Sequence, residues 1–245
     1  MGEFADITRS EAELWLSAPR YQRYLEVASG DDAAAIALYL WNVGLAQAVL
    51  RDVSFFEIAL RNAYDRLLSE AWTGDGHWLF DDASPMRRPI LRTNKRGQVT
   101  DANRINRNTI DRLREGLGEA ATPDKVISNL TLGFWAHMTD RSHERDLWIP
   151  SIHRAWPQGT DRREINERIA RINRVRNRAA HHERLFQVVG EGCDTEECCV
   201  SAVELLGQLA PQVALRIYGS ESGESRRSSV SEFLRDHPAP CAVAV

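Results

Sequence analysis

The chain has 245 residues, 31 basic and 35 acidic side chains, a formal net charge of −4 and 43% hydrophobic residues. These values are ordinary for a globular protein and exclude a generally polybasic nucleic-acid coat, while leaving room for a local basic site. Only Lys95 and Lys125 are lysines, so nearly all the positive charge is arginine, a planar group suited to bidentate phosphate contacts. The cysteines, Cys193, Cys198, Cys199 and Cys241, all lie in the last quarter, and the first residues are polar and acidic. Reduced thiols in a cytoplasmic protein with no secretory leader are the expectation.

Helical periodicity dominates, and no segment shows sustained strand alternation. A first helix is predicted from a cap at Ser10 to just before Pro19. Asp31 or Asp32 then caps an apolar helix to about Val49. A second helical run follows, with Phe56, Leu60, Tyr64 and Leu67 on one face. The charge-free stretch 33–50 barely reaches membrane-spanning length and carries Asn42, Gly44 and Gln47, so a buried core helix is expected. Residues 73–98 read as polar and irregular.

Asp101 is the expected cap of the next helix, which ends near Gly118. Thr122 with Pro123 starts another, predicted over 122–138. A short helix precedes Pro157, and Thr160 or Asp161 caps a helix predicted over about 161–188, with Ile165, Ile169, Ile172, Val175 and Ala179 as its apolar stripe. A last helix, about 196–217, is disturbed by Pro211. The reading is one all-α domain over 1–218 and a flexible Ser/Pro-rich tail over 219–245.

Two regions are locally basic. Residues 87–114 carry nine basic side chains against two acidic ones, and residues 161–184 carry eight arginines against four acids. Arg104 and Arg107 in the first region and Arg178 in the second are candidate RNA contacts if the regions form a phosphate-binding surface.

Within the second region, VRNRAAHHERLF (175–186) admits three readings. Adjacent His181 and His182 point about 100° apart on a helix and do not easily share a metal ion, so no metal is expected. An Arg/Glu-rich helix with Arg178 and His182 four apart is also an ordinary solvated face. The third reading is a phosphodiester site. Asn177 lies four residues before His181, where its amide is placed to orient the imidazole. Arg176 lies about 140° from His181, so a helix end, a kink or a second copy across a two-fold axis must bring them to one phosphate. Histidine suits proton transfer near neutral pH, and arginine suits a phosphoryl oxyanion.

The string VRNRAAHHERLF resembles the R-N-x-x-A-H-H-x-R-L motif of the Abi-like (abortive infection) family, within the HEPN superfamily. FFEIALRNAYDRL (55–67) is similar to that family's E-x-x-x-R-N helix, and NLTLGFWAHM (129–138) to its G-F-W segment. LYLWNVGLAQAVL fits its early helix, so the likeness runs in order over about residues 8–190. Phe186-Gln187 departs from it where an aromatic followed by asparagine is expected.

The resemblance implies a HEPN-like helical bundle, usually dimeric, with metal-independent endoribonuclease activity in many members. It places Arg176 and His181 as a catalytic pair with Asn177 as their polar companion; Glu57, Arg61 and His182 are expected in support, although Glu57 and Arg61, four apart, equally suit an intrahelical ion pair at the rim of the bundle. It implies a role in phage defence, often as a toxin restrained by an antitoxin-like partner, with RNA as substrate and no cofactor. A second reading is a non-catalytic module binding RNA or protein, as in superfamily members without nuclease activity.

Overall fold

The computed structural model describes residues 7–93, 96–186, 194–219 and 227–243; Lys95, Gln187 and Cys193 lie outside them. Helix α1 (Arg9–Leu16) starts at Thr8, two residues before the expected cap. The Thr8 hydroxyl accepts from the Glu11 amide and the Glu11 carboxylate accepts from the Thr8 amide, a reciprocal cap written locally as T-x-x-E. Pro19 does more than close this helix: it sits in the first turn of α2 (Ala18–Val27), an element the sequence reading lacks. The two helices expected after Asp31 are one, α3 (Asp32–Ala71), with the Asp31 carboxylate accepting from the Ala34 amide.

Residues 91–101 form a small hairpin of β1 (Leu91–Thr93) and β2 (Val99–Asp101), antiparallel with Leu91 opposite Asp101. Asp101 does not cap the helix that follows. Its carboxylate accepts from the amides of Ile90 and Asn103 and from the Arg107 guanidinium, and Asn103 occupies the cap position of α4 (Arg104–Leu117). Thr122 starts α5 (Pro123–Asn129) as expected, but the helix is interrupted by extended backbone at Leu130 and Thr131 before α6 (Leu132–His137). Short 3-10 and π-helical turns then lead to α7 (Arg162–Ala180), begun by Asp161, whose carboxylate accepts from the Arg163 amide. Pro211 divides the expected last helix into α8 (Thr195–Leu209) and α9 (Pro211–Tyr218). The class is all-α, as expected, with one hairpin among the described residues.

The chain forms two compact units. The first takes residues up to 55, 174–204 and 212 onward. Its buried side chains include Leu38, Leu45, Val49 and Val53 of α3, Val175 and Ala179 of α7, and Phe186. Part of the stretch read as a Ser/Pro-rich tail is helical here: α10 (Ser229–Asp236) is docked in this unit. Asp52 is buried, and its carboxylate accepts from the amides of Ser229 and Val230 at the start of α10 and from the Tyr218 hydroxyl. An anion thus meets the positive end of a helix. Trp41 donates from Nε1 to the His237 carbonyl at the other end, 2.7 Å away. Gly44 leaves the space that the Phe233 ring fills, since a Cβ there would lie 2.7 Å from Cε2 of that ring.

The second unit takes residues 56–173 and 205–211. Phe56, Leu60 and Tyr64 of α3 and Ile165, Ile169 and Ile172 of α7 are buried in the chain, as their periodicity requires. Trp156 donates to the Tyr64 hydroxyl at 3.1 Å, and the Ser151 hydroxyl to the Leu67 carbonyl at 2.9 Å. By length and composition α3 could cross a membrane, with a mean hydropathy of 1.6 over its most apolar 18 residues. Leu38, Trp41, Leu45, Val49 and Val53 along it are buried within the protein, and 44% of that most apolar window is buried. Cys198 and Cys199 are buried on α8, and burial pushes the Cys199 thiol well above its usual pKa, toward inertness.

Candidate functional site

Helix α7 ends inside the motif, not at residue 188. The His182 amide donates to the Ala179 carbonyl and the Glu183 amide to the Arg178 carbonyl. These crossed bonds are a Schellman ending, with His181 as the half-in terminal residue and His182 in the left-handed region at φ 55. Glycine normally takes that position; a histidine there costs on the order of 1 kcal/mol. The two adjacent histidines therefore have different backbones and leave the helix in different directions.

The chain is stopped at this point by partners from elsewhere in the first unit. Asn42 of α3 donates from Nδ2 to the Glu183 carbonyl at 3.1 Å and accepts at Oδ1 from the Leu185 amide at 2.8 Å. Thr195 donates to the Leu185 carbonyl at 2.8 Å. Arg20 of α2 donates to the His182 carbonyl, and Arg178 to the Arg184 carbonyl. Phe186, fully buried, packs edge-on against Tyr24 with ring centres 5.8 Å apart. Asn42 is thus the anchor of the motif's end, and its signal in the sequence was one of two amides, with Gln47, within a charge-free apolar stretch.

Arg176, Asn177, Arg178, His181 and His182 all belong to the first unit. His181 and Asn177 are exposed. The Asn177 amide oxygen accepts from Arg176 Nη1 at 3.4 Å. Among the described residues no hydrogen bond joins that amide to the His181 ring, which corrects the expected tautomer-fixing role: the neighbouring guanidinium engages the oxygen.

The cleft beside the motif is lined by its other residues. A cavity of about 410 Å³ is walled by Arg178, His182, Glu183 and Arg184 from the end of α7 and by Ser17, Pro19, Arg20, Arg23 and Tyr24 from the start of α2. Four of these are arginines and one is a glutamate, so the cleft is basic. Arg178 and His182, which read as an ordinary solvated pair, are cleft residues. Arg20, Arg23 and Tyr24 escaped the sequence reading because α2 itself was not recognised; the signal was R-x-x-R just after Pro19.

Glu57, Arg61, Arg104 and Arg107 belong to the second unit. Arg61 is half-buried and donates from Nη1 to the Ser128 carbonyl at 3.4 Å. Arg107 is not a free cation: it pairs with Asp101 at 2.5 Å and donates to the Arg87 carbonyl at 2.7 Å, tying the hairpin to α4. Arg87 is buried between Asp82 and Asp111, and Arg88 pairs with Asp146 at 2.6 Å. Arg114 lies over the Phe80 ring at 4.4 Å. Much of the basic run 87–114 therefore serves local structure, while Arg104 stays exposed at the first position of α4.

Two histidines of this unit stand ring to ring. His143 is fully buried, and among the described residues neither ring nitrogen has a hydrogen-bond partner. It stands edge-on to His137 with ring centres 4.9 Å apart, and His137 Nδ1 lies 2.6 Å from Asn106 Nδ2. Burial pushes His143 down to about 4 and also lowers His137. Among the described residues no group of histidine, cysteine and carboxylate side chains is arranged to hold a metal ion.

A family model described as Abi-like protein matches residues 17–187. The chain belongs to the Abi-like family. The match begins at the cap of α2 and ends just past the motif, so both walls of the basic cleft in this Abi-like chain fall within it, whereas α1 and α8–α10 fall outside. No curated protein and no solved structure matches the chain.

Proposed function

We propose that this Abi-like protein is a metal-independent endoribonuclease of the HEPN type, acting in phage defence by abortive infection. The observation that carries the reading is the ending of α7, which leaves His181 exposed at a helix terminus four residues after an Arg176–Asn177 pair. In this scheme an imidazole takes the proton of a ribose 2′-hydroxyl, and the 2′-oxygen attacks the adjacent phosphorus. Arg176 offsets the charge on the phosphoryl oxygens, the bond to O5′ breaks, and an acid protonates the leaving oxygen. The products are a 2′,3′-cyclic phosphate and a 5′-hydroxyl. Two His181 side chains, one from each protomer of a homodimer, supply base and acid in a composite site. An antitoxin-like partner would restrain such an activity in a cytoplasmic setting.

The test is incubation of the purified protein with a broad RNA pool in EDTA, followed by end-mapping. Wild type is expected to cut RNA to cyclic-phosphate ends and leave DNA intact. His181→Ala should lose about 10²–10⁴-fold in rate while still binding RNA. Intact RNA with wild type, or products lacking the cyclic end, would refute the mechanism. A non-catalytic binding module is the second reading, favoured by the placement of Arg178 and His182, not Arg176 and His181, on the cleft wall. It predicts equal RNA binding and no cleavage by both proteins.

A further inference from the structure

We propose that the cleft between the start of α2 and the end of α7 is a phosphate-binding site built from the Tyr24 hydroxyl and the Arg23 and Arg184 guanidinia. The inference deepens the nuclease reading by supplying a phosphate subsite beside the motif, and it rests on that reading only for taking the phosphate to be part of an RNA strand.

Tyr24 is 1% exposed, and among the described residues its buried hydroxyl has no hydrogen-bond partner. A buried donor in that state is costly, and a ligand oxygen would satisfy it. The guanidinia of Arg20 and Arg184 lie close enough to act on this hydroxyl electrostatically, and burial pushes the phenol up to about 12, so it stays a donor at neutral pH.

The arginines divide by task. Arg20 and Arg178 are committed to the carbonyls of His182 and Arg184, holding the wall together. The side chains of Arg23 and Arg184 make no hydrogen bond or ion pair with a described residue, although both line the cavity. Glu183, the one carboxylate on the wall, stands 3.6 Å from Arg178. The remaining wall is the first turn of a ten-residue helix, whose cap residue Ser17 makes no side-chain capping bond, so the positive helix end adds to the same field. Hydroxyl- and guanidinium-bearing residues lining one cavity of about 410 Å³ suit a tetrahedral oxyanion with several acceptor oxygens better than an apolar or cationic ligand.

The experiment measures binding, not cleavage. A fluorescent 2′-O-methyl oligoribonucleotide, which has no nucleophile and cannot be cut, is titrated with the full chain by anisotropy at several salt concentrations. Inorganic phosphate is titrated separately, observed by phosphorus NMR. Tyr24→Phe preserves the ring and removes only the hydroxyl, and Arg23→Ala changes an exposed side chain, so both variants keep the fold. Each of Tyr24→Phe, Arg23→Ala and Arg184→Ala should weaken strand binding about tenfold. The arginine variants should also flatten the salt dependence by about 0.7 per lost phosphate contact. If inorganic phosphate binds and is lost in the same variants while the strand does not bind, the site takes small phosphates and the proposal still stands. Wild-type affinity and salt slope in all three variants, or no binding of either probe to wild type, would overturn it. Because the probe cannot be cleaved, an inactive wild type with intact, variant-sensitive binding would refute the nuclease reading alone.

Discussion

Acidification should destabilise this protein through one buried imidazole. His143 is fully buried at the end of a 3-10 turn (Arg141–His143), edge-on to His137, with neither ring nitrogen hydrogen-bonded. The charged groups that act on it are His137, Asp140, Asp146 and Arg92, and burial outweighs them all, lowering it from an ordinary 6.5 to about 4. Between those values the unfolded chain binds a proton that the folded chain refuses, so stability falls as pH drops below about 6.5 and the loss levels off near 4. At about 1.4 kcal/mol per pKa unit the full penalty is on the order of 3 kcal/mol, and about 2 kcal/mol of it is reached by pH 5. His137, lowered in the same direction by burial, adds to it. The assay is urea unfolding followed by tryptophan fluorescence at pH 7.5, 6.5, 5.5 and 5.0, comparing wild type with His143→Leu. The variant curve should be flatter by that amount. Parallel pH dependences in the two proteins would show that His143 accepts protons in the folded state, and the burial argument would be wrong.

Three further outcomes follow from particular contacts. Asp52→Asn should weaken the anchoring of α10 and cost about 2–4 kcal/mol, because it removes the charge from a buried carboxylate that accepts two helix-start amides and the Tyr218 hydroxyl; limited proteolysis should then cut before residue 229, and an unchanged cleavage map would refute the anchor. Asn42→Leu should cost about 2–3 kcal/mol in urea unfolding by orphaning the Leu185 amide and the Glu183 carbonyl. His182→Gly should stabilise by about 1 kcal/mol, since the left-handed backbone suits glycine, whereas His182→Val should destabilise; a thermal shift in the opposite order would count against the Schellman ending.

How much of this was legible depends on where each element's partners lie. Thr122–Pro123 and Asp161 start helices through bonds within their own first turns, and Pro211 breaks one through its own ring, so the sequence revealed all three. The T-x-x-E cap at Thr8 was equally local and went unrecognised in favour of Ser10. The hairpin at 91–101 carried no alternation to read, because its strands are three residues long and mostly exposed, and a carboxylate outside the expected role secures its base.

The residues of the candidate site, and the family to which they belong, were set by the sequence alone: the order and spacing of Arg176, Asn177, His181 and His182 are properties of the chain. Their geometry was not. Apolar periodicity carried the α7 pattern past residue 180, and the bonds that hold the chain just beyond the Schellman ending come from Asn42 and Thr195, which no local rule connects to it. The same holds for charge: counting arginines could not distinguish Arg107, consumed by Asp101, from Arg23 and Arg184, which face a cleft. Likewise the burial of His143 depends on what packs over it. Local hydrogen bonds and periodicity act over a few residues and can be read in order, whereas pairing and desolvation depend on segments brought together by folding, and only the tertiary structure decided them.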